Sequence, residues 1–165
     1  MELVTKLPPG MTLRHPAAWL STWFGCGLMK FAPGTWGSAG AIPFGALIFW
    51  IGGSEALAIA SLLCFAIGIW SSGTYAKAKG VSDPGQVVID EVAGQWLTLC
   101  FVPLNLYWYV AAFFLFRTAD IVKPFPANWC DRNLKGGLGI MLDDMVAGLY
   151  AGLALFIAHW LIGLV

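Results

Sequence analysis

The stretch GGLGIMLDDMVAGLYAGLALF, residues 136–156, decides how this chain is read. Asp143 and Asp144 stand side by side, and from 145 to 165 the only acidic or basic side chain is His159. That run of 21 residues matches the roughly 20 apolar residues a helix needs to cross a bilayer. The first expectation is a membrane helix with two carboxylates at its polar mouth.

The rest of the chain repeats the pattern. Of 165 residues, 59% are hydrophobic and 11% charged, well below the ~25% charged of soluble domains. Apolar runs 39–53 and 56–70 are joined by a GGSE turn, and runs 92–102 and 106–116 by Pro103-Leu104-Asn105. Both pairs read as helical hairpins. The individual runs are short for a bilayer, so some are expected to be re-entrant or buried among other helices. If both hairpins cross and return, Lys6, Arg14, Lys30, Lys77, Lys79, Asp83, Asp90, Glu91 and the charges from Arg117 to Asp144 share one side, and only Glu55 falls on the other. Lysine and arginine mark the cytoplasmic face. The expected fold is therefore all-α: a small helical integral membrane protein, one domain over 1–165, with short spanning or re-entrant helices and its polar loops facing the cytoplasm.

Composition also excludes. A formal net charge of zero argues against a nucleic-acid partner, which requires a basic field. Cys26, Cys64, Cys100 and Cys130 show no metal spacing and read as free, reduced apolar fillers. The first 20 residues are broken by prolines and carry no signal-peptide core. His15 and His159 lie outside every polar cluster, which leaves little room for a histidine nucleophile or a Ser-His triad.

Four clusters carry chemistry. In FAPGTWGSAGA (31–41), glycines surround Thr35 and Ser38 just ahead of an apolar helix, a setting that caps a helix or receives an anion. VVIDEVAGQW (87–96) places Asp90 beside Glu91, with Gly94 one turn on. In FRTADIVKPFP (116–126), Arg117, Asp120 and Lys123 are spaced to share a helical face, and Pro124 and Pro126 then end the helix. The fourth is the opening stretch, where Gly136, Gly137 and Gly139 read as a flexible loop before the acids. The order acid-acid-x-x-small occurs twice, at 90–94 and 143–147. If Asp90, Glu91, Asp120, Asp143 and Asp144 converge, Arg117 and Lys123 cannot neutralise them, and a cation is needed. Oxygen-only ligands favour Mg²⁺ or Mn²⁺ over Zn²⁺. Carboxylates, metal, bases and an anion loop at a membrane face are the parts of phosphoryl chemistry on a lipid phosphate.

PGTWGS, DEVAGQW, FRTADIVKPFP and DRNLKGGLGIMLDDMVAG, in this order, resemble the phosphatidylglycerophosphatase A family over about residues 19–160, leaving 1–18 as an N-terminal extension. The resemblance implies an all-α, Mg²⁺-dependent enzyme that hydrolyses phosphatidylglycerophosphate to phosphatidylglycerol and phosphate, embedded in the bacterial inner membrane with its site facing the cytoplasm. It implies that Asp90, Glu91, Asp143 and Asp144 form the acidic metal-binding core with Asp120 beside them. Arg117 and Lys123 would hold the phosphomonoester, with hydrogen bonds from Thr35 and Ser38. A metal-activated water is the expected nucleophile, with a covalent aspartyl-phosphate at Asp90 or Asp143 as its rival. Among other classes, the pattern of a CDP-alcohol phosphatidyltransferase is absent. A cation transporter or channel is the non-enzyme alternative. Its acids belong in mid-helix, whereas here they are expected at helix mouths beside bases and glycines.

Overall fold

The computed structural model describes residues 6–163, and among these the regular structure is helical. In chain order the helices are α1 (Pro16–Ser21), α2 (Pro33–Lys79), α3 (Ile89–Leu99), α4 (Leu106–Val122), α5 (Ala127–Asn133) and α6 (Gly136–Ile162), with a short 3₁₀ turn at Cys26–Leu28. The all-α expectation holds. Two of the helices, α2 and α6, are long and apolar enough to cross a membrane.

Helix α2 is a hairpin. Gly52 (φ −138°, ψ 16°) and Gly53 (φ 69°, ψ −167°) leave helical geometry, and the positive φ at Gly53 is one that glycine adopts without steric cost. The contacts show the reversal. Gly45 on the first arm packs on Trp96 and Leu99, and the Trp96 indole Nε1 donates to the Ala41 carbonyl at 2.8 Å. On the second arm, the Ser61 hydroxyl donates to the Ala93 carbonyl at 2.8 Å, while Cys64 lies beside Ile89. The first arm therefore runs with α3 and the second against it. Both arms exceed the apolar runs expected from composition. The helix opens at Pro33, whose missing N–H costs nothing in a first turn, and closes only at Gly80 in the left-handed conformation. Ser71, Ser72 and Tyr75 thus belong to the helix and face inward.

The second hairpin is α3 and α4. Asn105 caps α4 by accepting from the Tyr107 N–H at 2.9 Å. The helix ends where Pro124 forbids its continuation, with Lys123 in the left-handed region (φ 47°). The glycines 136, 137 and 139 are not a loop, as expected, but the first turn of α6. Gly137 and Gly139 pack too closely for a side chain: a Cβ on Gly137 would strike the Ile69 carbonyl, and one on Gly139 the Leu134 carbonyl. Asp143 and Asp144 consequently sit about two turns inside α6 rather than at its start.

Small residues and buried hydroxyls line much of the interior beside large side chains such as Phe116, Leu57 and Trp96, while many other large apolar side chains face outward. Trp50, Ile51, Leu62, Leu63, Phe114, Phe156 and Trp160 are all exposed, while Ser38, Ser61, Ser71, Ser72 and Thr98 are fully buried. This inverted arrangement suits a protein whose surroundings are apolar. Helices α3 and α6 approach backbone to backbone. A Cβ on Gly94 would lie 2.6 Å from the Asp144 carbonyl oxygen, and one on Gly148 would lie 2.5 Å from the Gly94 carbonyl oxygen. The Thr98 hydroxyl, at 2.9 Å from the Gly94 carbonyl and 3.1 Å from that of Gly148, ties the two together. Overpacking such a contact costs about 1–3 kcal/mol. Gly94→Val and Gly148→Val are each expected to lower the thermal midpoint in detergent, and the double variant to lose less than the sum, because both act on one contact. Unchanged midpoints in circular-dichroism melts would contradict this packing.

Candidate active site

The two acid pairs meet because α3 and α6 run parallel. Gly94 lies beside Asp144 and Gly148, and further along Gly152 packs on Phe101. Asp90 precedes Gly94 by one helical turn, as Asp144 precedes Gly148, so both carboxylates project on the contacting faces just before the helices touch. Asp90, Glu91 and Asp144 each bring one carboxylate oxygen within 4.8 Å of the others. They lie in a cleft of about 700 Å³, bounded also by the start of α2, the end of α4 and α5.

Each of these three acids keeps an oxygen without a hydrogen-bond partner: Asp90 Oδ1, Glu91 Oε2 and Asp144 Oδ2. Withdrawal from water, and then the neighbouring Glu91 and Asp144 charges, hold the Asp90 pKa well above the usual carboxylate range. Burial likewise raises Glu91, with Arg117 pulling the other way. Three carboxylates this close cannot all be ionised without a cation. The orphaned oxygens supply an all-oxygen donor set, which is the chemistry that Mg²⁺ takes.

The other two acids of the expected five have basic partners. The Arg117 guanidinium Nη1 contacts Asp120 Oδ2 at 2.7 Å and Glu91 Oε1 at 3.5 Å, and Asp120 also reaches the Asp144 carboxyl. Lys123 does not continue a ladder along α4. Its left-handed backbone turns it away from the helix, and its Nζ donates to Asp143 Oδ2 at 2.6 Å and to Asp131 Oδ1 at 2.8 Å. Burial works against the Lys123 charge, but these two carboxylates prevail and its pKa lies above the ordinary lysine range. A non-glycine residue held at positive φ in a cleft is a common mark of a functional position.

The glycine-rich start of α2 is brought to the same place. Thr35 lines the cleft. Ser38 does not: it is fully buried, donates to the Gly34 carbonyl at 2.9 Å and accepts from Arg117 Nη1 at 3.4 Å. It therefore steadies Arg117 from behind. Gly34 itself faces the acids, since a Cβ there would collide with Glu91 Oε1 and lie 3.0 Å from Arg117 Nη2. Sequence reading gave no role to Asp131, Arg132, Lys135 or Asp83, all of which line the cleft. The density of charge in DRNLK was the available signal. Helix α5, which carries Asp131 and Arg132, was not foreseen.

With this geometry in view, the comparisons with known proteins are specific. A family model described as Phosphatidylglycerophosphatase A matches residues 19–159. The chain belongs to the phosphatidylglycerophosphatase A family. It is 41% identical to the Escherichia coli protein named Phosphatidylglycerophosphatase A over 157 residues, covering 93% of this chain and 91% of that one. It is 38% identical to the Haemophilus influenzae protein of the same name over 154 residues, covering 92% and 94%. A Bacteroides thetaiotaomicron protein, 41% identical over 157 residues and covering 87% and 94%, carries a provisional name, phosphatidylinositol-3-phosphatase. No solved structure matches this chain. The matched span includes every acid and base of the cleft.

Because the Gly34 backbone occupies the space a Cβ would need beside Glu91 and Arg117, Gly34→Ala is expected to displace both side chains. Turnover should fall by about a hundredfold, the scale of a misplaced catalytic group. The thermal midpoint should move little, because the neighbours are side chains at a cleft. Full activity in Gly34→Ala would show that the Glu91–Arg117 arrangement is not needed.

Proposed function

We propose that this protein hydrolyses the phosphomonoester of phosphatidylglycerophosphate, giving phosphatidylglycerol and inorganic phosphate. The observation that carries the reading is the meeting of Asp90, Glu91 and Asp144, each with a free oxygen, opposite Arg117 and Lys123 in one cleft. The names of the E. coli and H. influenzae relatives supply the substrate. The Bacteroides relative extends the range of names to another phosphomonoester on a phospholipid headgroup. An ion-transport role has less support, because the acids share their cleft with paired bases and the family is named for a phosphatase.

Asp90, Glu91 and Asp144 would hold Mg²⁺, which when bound withdraws charge from the phosphoryl oxygens and lowers the pKa of a bound water. Arg117 and Lys123 orient the phosphomonoester, each exchanging part of its present carboxylate contact for phosphate oxygens. Thr35 adds a hydroxyl at the rim. Asp120 and Asp143 lie outside the cation set, and of the two Asp143 is placed to act on water. Its Oδ2 is fixed by Lys123 and its Oδ1 is buried without a partner, which suits it to accept the proton of the attacking water. The water oxygen bonds to phosphorus as its proton passes to Asp143, the bond from phosphorus to the glycerol oxygen breaks, and the departing alkoxide is protonated by the proton Asp143 received. Charged residues gather at the end of the fold opposite Glu55, which sits just past the Gly52–Gly53 turn. By the positive-inside tendency, this end faces the cytoplasm of a multi-pass inner-membrane protein.

Phosphate release from phosphatidylglycerophosphate in detergent micelles tests this directly. Release should require Mg²⁺ and stop with EDTA. Asp90→Asn, Glu91→Gln and Asp144→Asn should lose both turnover and Mg²⁺ affinity. Asp143→Asn should lose turnover by about 10²–10⁴-fold, the usual contribution of a general base, yet keep its affinity for Mg²⁺. Glu55→Gln should be silent. Release that persists in EDTA, or an Asp144→Asn variant of normal activity, would overturn the proposal.

A further inference from the structure

A second, wholly different concavity lies on the outer surface between the first arm of α2 and α4. It has a volume of about 280 Å³ and is walled by Ala39, Ile42 and Pro43 on one side and Val110, Phe113 and Phe114 on the other. Its walls are apolar, and Phe114 is 64% exposed, so among the described residues nothing covers it.

Its position matters more than its composition. Thr35 lines the catalytic cleft, and Ala39, Ile42 and Pro43 follow it at i+4, i+7 and i+8, which is one stripe of the α2 arm. Arg117 lines the same cleft, and Phe113, Phe114 and Val110 precede it at i−4, i−3 and i−7 on one stripe of α4. The groove thus begins one helical turn beyond the cleft on both of the helices that form it. It ends at Leu106, which lies 11 residues, or about 16 Å, from Arg117. That is the depth of one leaflet of a hydrocarbon core ~30 Å thick. Its width suits a narrow occupant. Spread over the roughly 12 Å from Phe114 to Leu106, 280 Å³ gives a section of roughly 25 Å², against ~80 Å² for a helix 10 Å across. A single extended hydrocarbon chain fits that section. Small Ala39 leaves the space, and Pro43, which has no N–H to give the Ala39 carbonyl, loosens the arm there.

We propose that this groove is the acyl-chain site of the enzyme. One fatty-acyl tail of the phospholipid substrate lies between the α2 arm and α4, and so holds the headgroup phosphate against Arg117 and the acids. The proposal rests on the phosphatase reading and deepens it. It makes the apolar tail a positioning element, so a filled groove should penalise long-chain substrate selectively.

The test uses Ala39→Phe and Val110→Phe, which fill the groove from either side, and two substrates: phosphatidylglycerophosphate with two sixteen-carbon tails in mixed micelles, and its water-soluble form with two four-carbon tails. Relative to wild type, the ratio of long-chain to short-chain kcat/KM should fall by about tenfold or more in each variant. In parallel, a phosphatidic acid bearing a diazirine near the middle of one tail should label residues 39–43 and 106–114 in wild type and in Asp144→Asn, which needs no turnover. An unchanged ratio, or label spread over other helices, would overturn the groove while leaving the phosphatase intact. Label confined to these residues in a wild-type protein that releases no phosphate would keep the groove and overturn the phosphatase.

Discussion

Two glycines determine what this molecule can do. Gly94 and Gly148 allow α3 and α6 to touch backbone to backbone, and the carboxylates one turn before that contact are thereby forced together. Adjacent like charges in a place poor in water are unfavourable. The fold accepts this because the contact is reinforced by Thr98 and buried against the Phe116 ring. Around the carboxylates, Arg117 bridges Glu91 and Asp120, and Lys123 bridges Asp131 and Asp143, each joining acids from two elements.

This arrangement explains why a chain otherwise suited to lipid carries charge at all. The apolar helices set depth, since their polar ends converge on one cleft, and their outward faces are large and greasy. Chemistry on a lipid headgroup requires that placement: phosphate within reach of the acids, tails remaining in an apolar phase. The groove between α2 and α4 gives that division a structural path, one turn away from Thr35 and Arg117.

Much of this was legible in the sequence. Composition gave the class, the glycine pair gave the first hairpin, and the doubled acid motif gave the residues to watch. Other features depended on tertiary geometry that no local pattern carries. Nothing in DEVAG or DDMVAG states that their helices run parallel. Gly136, Gly137 and Gly139 read as a loop because glycine weakens an isolated helix, yet here close packing on Ile69 and Leu134 outweighs that propensity. Lys123 was placed on a helical face, but Pro124 ends that helix and the left-handed turn sends the amine to Asp143. Ser38 looked like a ligand to phosphate and proves to support Arg117. Of the five expected acids, Asp90, Glu91 and Asp144 cluster with their oxygens together, while Asp120 and Asp143 are held closest by bases.

The central claim is that Asp90, Glu91 and Asp144 form one divalent-cation site at the place of chemistry. Its most direct test is anomalous diffraction from crystals of the protein grown in lipid and soaked with Mn²⁺. The account predicts a strong anomalous peak bound to oxygens of all three carboxylates, lost in Asp144→Asn. Ordered crystals with an occupied Mn²⁺ elsewhere, or with no peak among these acids, would contradict it.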